Sequence, residues 1–111
     1  MRERLRALLS TTVDPARLDD LVLAASELVT NAVVHGEGPI AVSVWTGPGL
    51  VRVEVCDNGA ALPESVSHSW HEGETGRGLL IVDVVASRWG VSPKRPGPGK
   101  AVWFELEAAS R

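Results

Sequence analysis

Glu27, Asn31 and His35 stand at positions i, i+4 and i+8 of a segment whose apolar residues recur with a helical period. At about 100° per residue the three span only about 80° of a helix surface, beside the apolar stripe. Polar groups on that border sit at the rim of a core, where a pocket between helix and sheet would open. An asparagine oxygen is a neutral ligand that suits Mg2+ when phosphates supply the negative charge. A glutamate one turn earlier can orient or deprotonate a water or hydroxyl. The same three residues also fit a solvated helix edge.

Asp57 ends an alternating run, Val51, Val53 and Val55, and shares their parity. It therefore points to the apolar face of its strand. A carboxylate there is costly unless it is hydrogen-bonded. The amine of a purine, with a bridging water, would meet that need, and Gly59 lets the chain turn closely beside such a ligand. The alternative is an Asx-type turn closing a strand. Further on, Gly76-Arg77-Gly78-Leu79 leads into a helix. Free N–H groups at a helix N-terminus bind anions, and Arg77 can add charge. The spacing is neither a Walker loop nor a dinucleotide fingerprint. A metal ligand, a buried acid and a phosphate-cradling helix end thus follow in an order that can close round one nucleotide.

The elements that must position these groups follow from periodicity and turn residues. Arg2–Leu9 reads as a short helix with Leu5, Leu8 and Leu9 on one side, and Asp14-Pro15 as a cap followed by proline. The clearest helix runs from Pro15 to about Val34, closed by Gly36, Gly38 and Pro39. Ile40–Trp45 and Val51–Cys56 alternate about a Gly47-Pro48-Gly49 turn and form a hairpin. Gly59 to Gly76 is a long polar loop. A helix from Leu79 to about Ser87 is apolar almost all round, which predicts burial. Strands near Trp89–Pro93 and Val102–Leu106 close the chain. This order predicts one α+β domain over residues 1–111. It is a two-layer sandwich, a mixed but mostly antiparallel sheet with helices on one face. The open face would carry Ala41, Ser43, Trp45, Arg52, Glu54, Ala101, Trp103 and Glu105, a candidate partner surface with two tryptophans.

Composition narrows the function. The 111 residues allow one core, and a net charge of -3 disfavours broad binding to nucleic acid or an anionic membrane. A single cysteine, Cys56, excludes an intrachain disulfide and fits a reducing, cytoplasmic compartment. No apolar run reaches the roughly 18 residues of a membrane span. His68 and His71 lack a placed third zinc ligand, and Trp45, Trp70, Trp89 and Trp103 do not interleave with a basic run. Ser65, Ser67 and Ser69 read as loop composition. Lys94, Arg95 and Lys100 flank a hairpin, as a solvated end or a surface for acidic partners.

With these residues in place, the sequence resembles the GHKL (Bergerat-fold) ATP-binding domains of histidine kinases and DNA gyrase. It is most similar to small anti-sigma-factor serine kinases of the RsbW/SpoIIAB type. Glu27 to His35 resembles the N box, Val53 to Gly59 the first glycine box, and Thr75 to Leu80 the second. Asp83 to Val91 and Gly99 to Leu106 extend the likeness. The resemblance implies that Asn31 holds Mg2+ and that Glu27 is the general base. It implies that Asp57 recognises the adenine amine, that Gly76, Arg77 and Gly78 lie along the phosphates of ATP, and that Gly59 to Gly76 is a lid. His35, Gly59 and Leu79 fall within the same boxes and complete the implied nucleotide site. The implied activity is transfer of the ATP γ-phosphoryl to a serine or threonine of an anti-anti-sigma (STAS-type) partner. A sigma factor would be a second partner, and a homodimer is implied. The alternative is a non-catalytic module that sequesters a partner.

Three departures accompany the likeness. Ala60-Ala61 follow Gly59 where many members have a second glycine. Gly99-Lys100-Ala101 stands where the final strand often begins Gly-Thr, which implies weaker adenine binding. No strand precedes the first helix.

Overall fold

A computed structural model of the chain describes residues 1–59, 74–93 and 99–107, with 74–78 as backbone. The elements are α1 (Arg2–Leu9), α2 (Pro15–His35), β1 (Ala41–Gly47), β2 (Leu50–Asp57), α3 (Glu74–Val85), β3 (Arg88–Pro93) and β4 (Lys100–Glu107). The sheet order is β1-β2-β4-β3. Among the described residues every pairing is antiparallel, in keeping with the mostly antiparallel sheet expected. Helix α2 starts where the sequence places it. Pro15 opens it, and the Asp14 carboxylate accepts from the Ala16 N–H at 3.4 Å. The β1–β2 turn is tight because Pro48 presets its own φ and Gly49 takes φ +71°.

The core lies between the sheet and the helices. Val51, Val53 and Val55 of β2 and Val102, Phe104 and Leu106 of β4 meet Leu18, Leu21, Val22, Ala25 and Leu28 of α2, with Leu79 and Val82 of α3. Direct cross-strand pairing sets Val55 opposite Val102, Val53 opposite Phe104 and Val51 opposite Leu106. Short α1 is anchored through Leu5 and Leu9, while Leu8, expected on the same side, is exposed. An i, i+4 pair can share one face; the residue before the second is turned about 100° away.

Helix α3 corrects two expectations. It begins at Glu74, so Gly76, Arg77 and Gly78 form its first turns instead of preceding it. Nor is α3 buried all round: Leu79 and Val82 are enclosed, whereas Leu80 is 43% and Val84 79% exposed. A helix lying on one layer has only one face to bury, however apolar the others are.

The open face of the sheet is closed upon itself by charge. The Arg52 guanidinium stacks on the Trp103 ring, 4.1 Å from its centroid, and donates to Glu105 at 2.8 Å and Glu54 at 2.9 Å. Arg88 pairs with the other Glu105 oxygen. Trp103 lies over Gly90, where an added Cβ would meet the ring at 2.9 Å. Trp45 remains half exposed. The hydrogen bond from Arg52 holds the Glu105 carboxyl below its usual range; partial desolvation opposes this, and the Arg88 bond adds to it. Because the folded value is the lower one, this contribution is complete above the ordinary glutamate range. It is lost as pH falls through the folded value. Glu105→Gln should therefore flatten the acid limb of stability against pH. Denaturant midpoints between about pH 6 and pH 3 check this, and parallel curves for the two proteins would refute it.

Candidate functional site

Gly36, Asp57 and Gly59 come together where α2 ends beside the end of β2. Helix α2 closes with the Gly36 N–H donating to Ala32 O at 2.8 Å, and the chain then crosses to β2, where the Asn58 N–H donates to Glu37 O at 2.8 Å. This clasp sets Gly36 against Asp57. A Cβ on Gly36 would lie 2.6 Å from both Ala32 O and Asp57 Cγ, so no larger residue fits without displacing backbone or carboxylate.

Asp57 is only 1% exposed, on the core face that its parity predicts. Its Oδ1 accepts from the Gly59 N–H at 2.6 Å, from Lys100 Nζ at 3.1 Å and from the Glu37 N–H at 3.4 Å. The Gly59 bond is the Asx-type turn that the sequence left open as an alternative. The carboxylate's need for donors is thus met within the chain.

Lys100 corrects the sequence reading. Expected at a solvated end or an acidic docking surface, it is 6% exposed and lies directly across the sheet from Asp57. Its signal was present: Lys100 shares the parity of Val102, Phe104 and Leu106, so β4 carries it to the core face. Lys94 and Arg95, expected beside it as a basic flank, lie outside the described residues.

On α2, Glu27 and Asn31 are half-buried and His35 is exposed. Helix α2 packs against both α3 and β2. Among the described residues, Asn31 Nδ2 is the buried side-chain polar atom with no hydrogen-bond partner. Such an atom costs about 1–3 kcal/mol unless something pairs with the group. No cluster of three or more His, Cys, Asp or Glu exists among the described residues. An amide and a carboxylate one turn apart make a poor protein-only cage. They fit Mg2+ held largely by phosphate oxygens and water.

The backbone of Gly76, Arg77 and Gly78 lies in the first turns of α3, and Leu79 is fully buried beneath it. The expected lid, residues 60–73 with Ala60, Ala61, Ser65, Ser67, His68, Ser69, Trp70 and His71, lies outside the described residues. A groove lined by Met1, Arg2, Glu3, Ser26, Val29 and Thr30 occupies a neighbouring side of α2, about 100° round from Glu27 and Asn31.

Comparison with known families decides the wider assignment. Residues 1–105 match the model of the histidine kinase-like ATPase domain. The chain belongs to that family. The fold recurs in solved histidine kinase-like ATPase domains. One is the mycobacterial sensor histidine kinase MprB, at TM-score 0.61 and 22% identity over 85% of this chain and 74% of that one. Another is the histidine kinase domain of the Erythrobacter litoralis EL346 blue-light activated kinase, at TM-score 0.61 and 24% identity over 83% of this chain and 45% of that one. A third is the kinase domain of the E. coli osmosensor EnvZ, at TM-score 0.56 and 22% identity over 85% of this chain and 67% of that one. At these identities the likeness is one of fold. No curated protein sequence matches the chain. As a histidine kinase-like ATPase domain it has the helix-and-sheet architecture expected, and none of its described helices is long and apolar enough to cross a membrane.

Proposed function

We propose that this ATPase domain binds ATP with Mg2+ and transfers the γ-phosphoryl to a serine or threonine of a small partner protein of the anti-anti-sigma (STAS) type. The observation that carries the reading is the half-buried Asn31, whose Nδ2 donor has no partner among the described residues and suits a phosphate oxygen while Oδ1 suits the metal, one turn from Glu27 on the helix whose C-terminus lies beside Asp57. Asn31 and the phosphates would hold Mg2+, which when bound neutralises charge developing on the transferred group. Glu27 would take the proton of the attacking hydroxyl. Asp57, with Gly59 beside it, would face the base. The α3 start, Gly76 to Gly78 with Leu79 beneath, would lie along the phosphates, and His35 would border the mouth. The anti-sigma role, with a sigma factor as second partner, a homodimer and a cytoplasmic setting, rests on the resemblance in the three boxes.

Calorimetric titration with ATP, with and without Mg2+, tests the binding step. Wild type should bind in a metal-dependent way, and Asn31→Ala should lose that dependence and all phosphotransfer to a serine-bearing partner. Folded wild-type protein that binds no ATP at millimolar concentration would sink the proposal. A second reading is favoured by one specific feature, the occupation of Asp57 by Lys100. On that reading the chain binds a partner without catalysis, and wild type shows partner binding but no transfer.

A further inference from the structure

Lys100 sits inside the base-facing end of the site and is not accounted for by any step above. Its ammonium and the Asp57 carboxylate are 3.1 Å apart, with side chains 8% and 2% exposed. Of the three donors on Asp57 Oδ1, those of Gly59 and Glu37 are backbone N–H groups held by the clasp. Lys100 is the donor on a flexible four-carbon stem. A carboxylate has several acceptor positions but no proton to give when ionised, and an ammonium has three donors but no acceptor. Together they present both kinds of partner at one point.

This matters for which purine the end of the pocket accepts. A 6-aminopurine offers an amine donor beside a ring-nitrogen acceptor. A 6-oxopurine offers a carbonyl acceptor beside a ring N–H donor. A carboxylate alone suits the first and repels the carbonyl of the second. With Lys100 beside it, the amine donates to Asp57 while the ring nitrogen accepts from Lys100. The reversed edge is satisfied when the flexible Lys100 stem carries its ammonium to the other side of the carboxylate, which the Gly59 and Glu37 N–H groups hold in place: the carbonyl then accepts from Lys100, and the ring N–H donates to Asp57.

We propose that Lys100 determines base specificity at this site, making it tolerant of both 6-amino and 6-oxo purine nucleotides. The inference rests on the nucleotide-binding reading above. In chemical terms, Lys100 places a charged donor beside Asp57 that stays in the core. It also holds Asp57 paired before any base arrives, so a purine enters by rearranging an existing contact instead of filling an open acceptor.

The test is titration of the full chain with ATP and with inosine triphosphate, each with Mg2+. Wild type should bind both with affinities within about fivefold of each other, since each edge finds two partners. Lys100→Met keeps the stem and removes the donor. Each nucleotide loses one contact, but only the inosine carbonyl is then left against the bare carboxylate, so the inosine nucleotide should weaken more and the ratio widen to more than about tenfold. Lys100→Arg restores a cation and should restore the narrow ratio. Lys100→Leu, which also has no donor, serves in place of Met if the latter fails to show a cooperative melt. A ratio that Met or Leu leaves unchanged overturns the role of Lys100 while leaving ATP binding intact. A wild type that already prefers ATP by about fiftyfold overturns it too. Absence of binding by either nucleotide, to wild type and variants alike, overturns the nucleotide reading itself and this inference with it.

Discussion

Asp57→Leu is expected to destabilise the fold by about 3–5 kcal/mol, because it strands the Lys100 ammonium in the core without a counter-charge. Leucine nearly matches aspartate in shape, with methyls where the two oxygens stand, so the loss is electrostatic and not steric. The reverse change should cost less. Lys100→Met leaves Asp57 with two backbone N–H donors, from Gly59 and Glu37. The double variant, apolar at both positions, should recover most of the stability lost in Asp57→Leu, since replacing a whole buried pair is often neutral. Denaturant unfolding of the three variants closes the cycle. Additive losses in the double variant would show that the two side chains do not depend on each other, and would remove the physical basis of the paired site.

Phe104→Ala should cost about 3–5 kcal/mol, a large part of the roughly 5–15 kcal/mol available to a domain. Phe104 is the single phenylalanine of the chain and is fully buried in β4, flanked by Val53 on one side and Trp89 on the other. Its buried neighbours on the same face of β2 and β4 are Val51, Val55, Val102 and Leu106, which have little reach. They sit on a sheet paired along both edges of β4 and cannot close in on the space left. The cavity term therefore adds to the lost burial. A thermal melt read by tryptophan fluorescence measures the effect, and a loss under about 1 kcal/mol would mean that the site collapses after all. The consequence reaches function through β4, which carries Phe104 and Lys100 on one face; loosening the strand at its centre loosens the donor at its end.

Much of this molecule was legible before folding. The 3.6-residue recurrence through α2, the alternation in β2 and β4, and the Pro and Gly punctuation dictate element types and order, because each reflects burial of one face. Parity alone sends Asp57 inward, since side chains alternate along a strand whatever lies next to it. The spacing of Glu27, Asn31 and His35 likewise follows from helix geometry. Local rules of this kind do not depend on distant partners.

Other features depended on partners far along the chain. That Asp57 meets Lys100, 43 residues away, requires the register that sets β2 against β4, which no local signal states. The exposure of Leu80 and Val84 required knowing that α3 lies on one layer and has a free side. The closure of the open face by Arg52, Glu54, Glu105 and Arg88 required three strands to be neighbours. Local periodicity fixes which groups turn inward and in what order they come. The sheet register fixes which of them meet, because a buried charge takes its counter-charge from whatever strand pairing places opposite it.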